Sequence, residues 1–401
     1  MDLHSGSPYW AIKNSLYQGA HPLQENISTD VTIIGTGITG ALVAHELCEA
    51  GITCTMVDKR AIAGGSTVAS TAQLQYEIDV SLYKLSNEIG NKNATVAYRA
   101  SLKSINDLEA LFNKAQIDAE FVRVPTLLLA SNRAGLRKLK DEYQIRKESK
   151  LPVDFLESID LQNKYQIDRL GALWNDTSAQ IDCYKAAVGL IQHHQKKHDL
   201  KVYPYTEIIG YKRERSQFVL QTLKGQTITC KYVIIAAGFE AGRFLPKKIM
   251  DLLSTYALVS EPMRPEQLWP ERCLIWETRH PYFYMRTTAD NRIMMGGEDI
   301  PYKNAKLRDA KLLQKTKALE RKFHKLFKHI PMITDFSWCG TFSSTHDGLP
   351  YIGEYKDKKN MFFALGYGGN GITFSMIAAQ IICNKIKGKK DPRESVFSFD
   401  R

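Results

Sequence analysis

The sequence predicts an α/β protein that joins a Rossmann-type dinucleotide-binding unit to a region built on a mainly antiparallel sheet. Three observations carry this prediction. The stretch VTIIGTGITG, residues 31–40, runs an apolar strand into Gly35, Gly37 and Gly40. That is the G-x-G-x-x-G spacing that lets a backbone turn tightly and approach a pyrophosphate. Residues 255–300 alternate through TYALVSEPM, LIWETRHPYFYMRTT and RIMMGGED, as antiparallel strands with aromatic side chains on one face do. A second glycine-rich turn, LGYGGNGIT, opens an apolar helix near the C-terminus, so one long cofactor touched at both ends accounts for both turns.

Taken in order, the first 30 residues, with SPYW and HPLQ, read as an arm lying on the body. After the first glycine turn, Leu42, Val43, Leu47 and Ala50 recur at helical spacing and Gly51 ends the helix. ITCTMVDKR then forms a second strand ending at Asp58, where a dinucleotide fold places an acid for the adenosine ribose, about 20 residues beyond the turn. GGSTVASTAQLQYEID is a loop rich in hydroxyls, suited to donating to phosphates or to capping the next helix. Residues 91–150 are mostly helical, broken by the strand VPTLLLAS. Residues 201–241 form a string of strands with a turn at Lys224-Gly225, and YVIIAAG is a buried strand whose small end lets the backbone come close to a cofactor.

The 401 residues require one large α/β body or two domains. No apolar run reaches the ~20 residues that span a bilayer, and MDLHSGSPYWAIKN lacks the regions of a signal peptide, so a soluble cytoplasmic protein is expected. Seven cysteines without a C-x-x-C pair argue against a disulfide framework and against a zinc site, so no metal is expected, and Cys48 and Cys54 read as small buried groups. Much of the net charge of +11 lies in residues 304–329, where nine Lys and Arg face two acids and Leu312, Leu319, Phe323 and Leu326 make an apolar stripe. A solvated surface helix is the leading reading; no interleaved aromatic stacking motif accompanies the charge, and nucleic acid is not the expected partner.

The ordered set TDVTIIGTGITGALVAHELCEAGITCTMVDKR, GGSTVAST, YVIIAAG, HDGLPYIG and LGYGGNGIT resembles the FAD-dependent D-amino acid oxidase superfamily, on the branch with glycine oxidase, sarcosine oxidase and γ-glutamylputrescine oxidoreductase, over about residues 28–388. The resemblance implies a Rossmann-type FAD-binding domain (1–90, 151–245 and 336–401) interleaved with an α+β substrate domain (91–150 and 246–335). It implies that Gly35, Gly37 and Gly40 hold the FAD pyrophosphate and Asp58 the ribose, with Lys59 and Arg60 flanking. Asp58 departs from the Glu usual there. Ser66, Thr67, Ser70 and Thr71 match the loop beside the pyrophosphate and ribityl chain, Ile208 the residue whose backbone meets adenine, and Ala237 and Gly238 the strand end at the cofactor. Gly348, Gly369, Asn370, Gly371, Ile372 and Thr373 match the segment at the isoalloxazine, where a helix dipole stabilises negative charge.

The implied reaction oxidises the C–N bond of a small amine or amino acid by hydride transfer to flavin N5, leaving an imine that water hydrolyses; oxygen or another acceptor takes the electrons. Such chemistry needs positioning more than a strong acid or base. Arg286 offers a guanidinium fork for a substrate carboxylate, the alternative being a structural ion pair with Glu298 or Asp299. Tyr284, with Tyr282, walls the pocket or fills the core, and His346 lies in the loop expected near the flavin, to tune an amine's protonation or as an incidental residue. His193 and His194 read as surface residues. Cys339 is offset by one from the cysteine that attaches flavin in sarcosine oxidases, so noncovalent FAD is expected. Met294 stands where those enzymes carry a lysine for oxygen activation, which leaves a dehydrogenase open. An NAD-dependent dehydrogenase would explain Gly35 to Asp58 but not the second glycine turn. A flavin-binding component without amine turnover, linked to RNA through the basic helix, is the remaining alternative.

Overall fold

The parallel sheet grows outward from strand Ile27–Ile34, whose inner half is buried on both faces, as a central parallel strand must be. It pairs in parallel with Cys54–Val57 and with Thr227–Ile235. The computed structural model describes residues 3–246, 248–356 and 358–401. Among them this sheet has eight strands, with Lys201–Tyr203 on one edge and Gln217–Thr222 and Ile208–Glu214 beyond Thr227–Ile235. The far end of Thr227–Ile235 pairs instead with Met361–Leu365, which carries Tyr351–Glu354. Helices Ile38–Glu49, Cys183–Lys197 and Gly371–Ile386 contribute to the core on its face. Thr39 Oγ1 and Ser375 Oγ lie 2.7 Å apart, so the two helices that follow the two glycine turns start side by side.

Among the described residues a second sheet has nine strands. Its order is His4–Gly6, Thr334–Ser344, Asp251–Ser260, Ile293–Pro301, Phe283–Thr287, Leu274–Glu277, Thr126–Leu129, Gly171–Asn175 and Asp154–Glu157. Every pair is antiparallel except Leu274–Glu277 with Thr126–Leu129. The basic segment forms helices Ala305–Ala310 and Leu312–Leu326 on this sheet, burying Leu319, Phe323 and Leu326 as the periodicity predicts. Lys315 and Lys322 both pair with Glu298, so part of the charge is spent inside the molecule.

The sheets are shared across the sequence-based domain limits, and His4–Gly6, from the segment grouped with the cofactor domain, is an edge strand of the nine-stranded sheet. Strands Asp154–Glu157, Gly171–Asn175 and Thr334–Ser344, grouped by resemblance with the cofactor domain, run in the nine-stranded sheet. Helix Asn91–Ala115, grouped with the substrate domain, buries Ala94, Ala97, Tyr98, Ile105 and Leu108 in the core of the nucleotide-type domain. Local alternation identifies a strand but not the sheet edge it joins. The N-terminal arm is integral to the fold: Trp10 is fully buried and its Nε1–H donates to the Ser70 carbonyl at 2.6 Å.

Candidate active site

A long cavity of about 310 Å³ runs from the carboxyl ends of the parallel strands to the face of the nine-stranded sheet, the crevice where open α/β sheets bind ligands. At its entry the first glycine turn is shaped by close contacts. Gly35 has φ +119°, and a Cβ there would lie 2.3 Å from the Ala236 carbonyl oxygen. A Cβ on Gly37 would meet Thr67 Oγ1 at 2.8 Å, and one on Gly40 would meet the Gly35 oxygen at 2.0 Å. Gly35 and Gly37 line the cavity, whereas Gly40 lets helix Ile38–Glu49 pack onto the turn. Thr67 Oγ1 accepts from the Ile38 N–H at 3.0 Å, while the other first-turn N–H groups have no partner within the helix.

Asp58 lines the same end and also braces the turn. Its Oδ2 accepts from the Thr36 N–H (2.8 Å) and hydroxyl (2.9 Å), and its Oδ1 from the Arg60 N–H (2.9 Å). Burial raises its pKa and these hydrogen bonds oppose the rise. A carboxylate offers roughly four lone-pair sites, so one is left for a ribose hydroxyl. Lys59 and Arg60 line the cavity and are tied to Glu240 at 2.6 and 2.8 Å. Ile208 is beside them, its carbonyl accepting from Arg243. Ser66, Thr67, Ser70, Thr71, Ala237 and Gly238 form the middle of the wall.

The second glycine turn closes the far side with Gly369, Asn370, Gly371 and Ile372. The Gly369 N–H donates to Asp79 Oδ2 at 2.7 Å, and Asn370 Nδ2 donates to the Glu77 carbonyl at 2.7 Å. The loop after the hydroxyl-rich segment is thereby stitched to the turn. A buried cluster holds that loop in place, with Glu77 Oε1 accepting from Arg146 (3.2 Å) and Asn175 (2.6 Å). The N–H groups of Gly371, Ile372 and Thr373 remain as the open donors of a 16-residue helix.

The sheet end is made by Thr255, Trp276, Tyr282, Tyr284, Asp299 and Phe342. A bulge aims two of these. Ser254 pairs with Ile300 but Tyr256 with Gly297, so strand Ile293–Pro301 carries one extra residue, with φ +131° at Gly297 and +58° at Glu298. The ring of Tyr284 lies against Gly296, where a Cβ would come within 2.5 Å of its hydroxyl. Six cavity-lining residues carry a buried polar atom without a hydrogen-bond partner: Gln73 Nε2, Gln75 Oε1, Thr255 Oγ1, Trp276 Nε1, Asp299 Oδ1 and the Tyr367 hydroxyl. Orphaned groups of this kind are rare and call for a ligand or water. Burial, followed by the charges of Asp299 and Asp79, raises the Tyr284 pKa.

Besides Gly40, four predicted residues lie off the cavity wall. Arg286 is 2% exposed and not in the cavity wall. Its Nε and Nη1 donate to the carbonyls of Thr287, Thr71, Ala72 and Ile181 at 2.8–3.1 Å, and Trp10 stacks over it. It is neither a carboxylate fork nor the ion-pair partner of Glu298 or Asp299; burial lowers its pKa to about 10. His346 is exposed outside the cavity. Gly348 and Thr373 also lie off the wall: Gly348 packs against Val80, and Thr373 Oγ1 donates to the Asn370 carbonyl. His194, read as a surface residue, is buried, with ring nitrogens 2.8 Å from those of His45 and His198. Sequence reasoning missed Asp79, Thr255 and Trp276; the signal within reach was the Gly-Gly-Glu-Asp end of an alternating strand, which marks a bulge. The Cys339 thiol lies off the wall, against Asp309 and Ser5.

These features fit a flavin dinucleotide: an open-donor glycine turn and acid for the adenosine diphosphate half, a second open helix start, and orphaned polar atoms at the far end. The fold and the cavity define a dinucleotide-dependent oxidoreductase. The chain belongs to the family of FAD dependent oxidoreductases, whose model matches residues 30–385. It is 24% identical over 392 residues to γ-glutamylputrescine oxidoreductase of Escherichia coli (strain K12), covering 95% of this chain and 89% of that protein. Glycine oxidase from Geobacillus kaustophilus has the same fold, with a TM-score of 0.78 at 20% identity over 91% of this chain and 96% of that one. So has the FAD-bound L-α-glycerophosphate oxidase from Mycoplasma pneumoniae, with a TM-score of 0.75 at 14% identity over 91% and 97%.

Proposed function

We propose that the protein oxidises the C–N bond of a small amine or amino acid in the cytoplasm. The observation that carries this reading is the chamber at the sheet end: aromatic walls, a carboxyl group with one buried unsatisfied oxygen and small polar groups, continuous with the dinucleotide cleft. The glycine turn, Asp58 and the open N–H groups of Gly371 and Ile372 would hold FAD without a covalent link, and FAD would supply a two-electron acceptor for the hydride from the carbon beside nitrogen. The chain's own residues position the substrate and exclude water: Tyr282 and Tyr284 stand 5.9 Å apart as a wall, and Thr255 and Asp299 reach in from the bulge. An alcohol phosphate, as the name of the M. pneumoniae relative implies for that enzyme, would require a cation at this end. Lys59, Arg60 and Arg243 are the lining cations among the described residues, and all three belong to the nucleotide end. The names of the E. coli and Geobacillus proteins support amine or amino-acid chemistry. Among the described residues no helix is long and apolar enough to cross a membrane.

The test is anaerobic addition of glycine, sarcosine, D-amino acids, proline, simple amines and γ-glutamylated amines to the purified flavoprotein. Bleaching of the flavin bands by one of them is expected. An unchanged spectrum with every compound would sink the proposal and favour a flavin-binding role without amine turnover.

A further inference from the structure

The charges along the cavity are segregated. At the nucleotide end Lys59 and Arg60 face Glu240, and Arg243 pairs with Glu207 at 2.9 Å. At the sheet end the lining charges are Asp79 and Asp299, and no Lys, Arg or His lines the wall there among the described residues. Phe342 occupies the strand Thr334–Ser344 at this end. Arg286, the nearest strand arginine in sequence, is consumed by backbone carbonyls. A substrate carboxylate placed here would meet two acids and no compensating donor cation, an arrangement that rejects it.

A cation placed here meets the opposite. Asp299 Oδ1 is buried and has no hydrogen-bond partner. Lys315, whose charge acts on it, is directed to Glu298 at 2.9 Å and is not part of the wall. Asp79 spends one oxygen on the Gly369 N–H and lines the cavity, and among the described residues His280 is the cation whose charge acts on it. Trp276, Tyr282 and Tyr284 supply π faces beside the two acids, which suit an ammonium or alkylammonium group. The bulge at Ser254–Tyr256 against Gly297–Ile300 exists at the cost of a regular ladder and directs Asp299 and Thr255 inward.

Resting on the reading of the protein as an amine or amino-acid oxidoreductase, we propose that Asp299, supported by Asp79 and the aromatic wall, is a cation-binding subsite that selects an alkyl amine whose reacting carbon bears no carboxylate. Asp299 is a specificity-determining residue that accepts a hydrogen bond from the substrate ammonium or from a second amine on its chain. Diamines are the chemical class that fits two acids in one chamber best.

The test uses the FAD-loaded enzyme and two readouts. Perturbation of the flavin absorption bands by unreactive ligands, tert-butylammonium (whose carbon beside nitrogen bears no hydrogen) as cation and benzoate as carboxylate, measures binding. Anaerobic flavin reduction by 1,4-diaminobutane and n-butylamine against glycine, D-alanine and L-proline measures turnover. The cation is expected to bind at least 10-fold more tightly than benzoate. Asp299→Asn should weaken the cation at least 10-fold and leave benzoate unchanged or tighter, with Asp79→Asn, which still accepts from Gly369, giving a smaller effect. Flavin content and melting temperature of each variant show that it is folded. Benzoate or an α-amino acid binding as tightly as its amine counterpart, or cation binding unmoved by Asp299→Asn, overturns the subsite. Bleaching by an α-amino acid but by no amine keeps the oxidoreductase reading and removes this inference. Asp299-dependent cation binding without bleaching by any compound does the reverse.

Discussion

Replacing Gly37 by Ala tests whether the first glycine turn is a pyrophosphate cradle or only a fold element. Gly37 caps its helix at φ −70°, ψ −176°, extended backbone that alanine adopts freely, so conformational strain is not the issue. Space is. The added methyl would lie 2.8 Å from Thr67 Oγ1, which already accepts from the Ile38 N–H, so the turn and the hydroxyl loop must separate. Separation costs one neutral hydrogen bond, about 1 kcal/mol in the protein alone. It also withdraws N–H groups from an anionic ligand, where charge-assisted bonds are worth about 1.5–3 kcal/mol each. Losing one or two of these weakens FAD binding on the order of 100-fold. Quenching of flavin fluorescence on titration into apoprotein gives the dissociation constant, and thermal unfolding without flavin gives the fold term. Gly210→Ala is the control, because a Cβ there meets nothing within 4 Å. A Gly37→Ala protein that binds FAD within about 3-fold of wild type would refute the cradle.

Other residues give equally direct expectations. Arg286→Lys loses most of the donations to the Thr71, Ala72 and Ile181 carbonyls, so it should destabilise the fold by roughly 2–4 kcal/mol, read as a lowered melting temperature, while the KM of the folded fraction stays within about 3-fold; a large KM increase at unchanged stability would restore the substrate-anchor role. Burial lowers the His45 pKa to about 4, below its ordinary value of 6.5, so its contribution to stability is complete above pH 6.5 and is lost as pH falls toward 4. His45→Gln should therefore flatten the fall in melting temperature between pH 7 and pH 5, and an unaltered slope would contradict the assignment. Burial and the charges of Asp79 and Glu298 raise Asp299 to about 6, against Thr255 and Lys315. The sign is opposite: its ionisation costs stability as pH rises through 6, so Asp299→Asn should be about 1–3 kcal/mol more stable than wild type at pH 8 and nearly equal to it at pH 4. Equal melting temperatures at pH 8 would show that the carboxylate is already compensated.

The parts legible in the sequence are those set by short-range constraints. Gly35, Gly37 and Gly40 were readable because their roles depend on neighbours within a few residues, and the Asp58 position because strand and helix lengths fix it. Alternation correctly put Tyr284 and Arg286 on one strand face. It could not show that Trp10 and the carbonyls of residues 71–72 cover that face at Arg286 and leave it open at Tyr284. His194 escapes a sequence reading for the same reason: its helix is polar in composition, but its neighbour His45 comes from a helix 149 residues earlier in the chain. Asp79 and Asp299 come together only because a loop of one sheet's domain and a bulge of the other sheet meet, a juxtaposition with no local signature.

The most direct test of the account is to precipitate the purified protein with acid and identify and quantify what is released. One FAD per chain in the supernatant is the expected result, with none retained by the pellet, since the Cys339 thiol faces Asp309 rather than the cavity. A nicotinamide dinucleotide, or no dinucleotide even after incubation with FAD, would contradict the central claim.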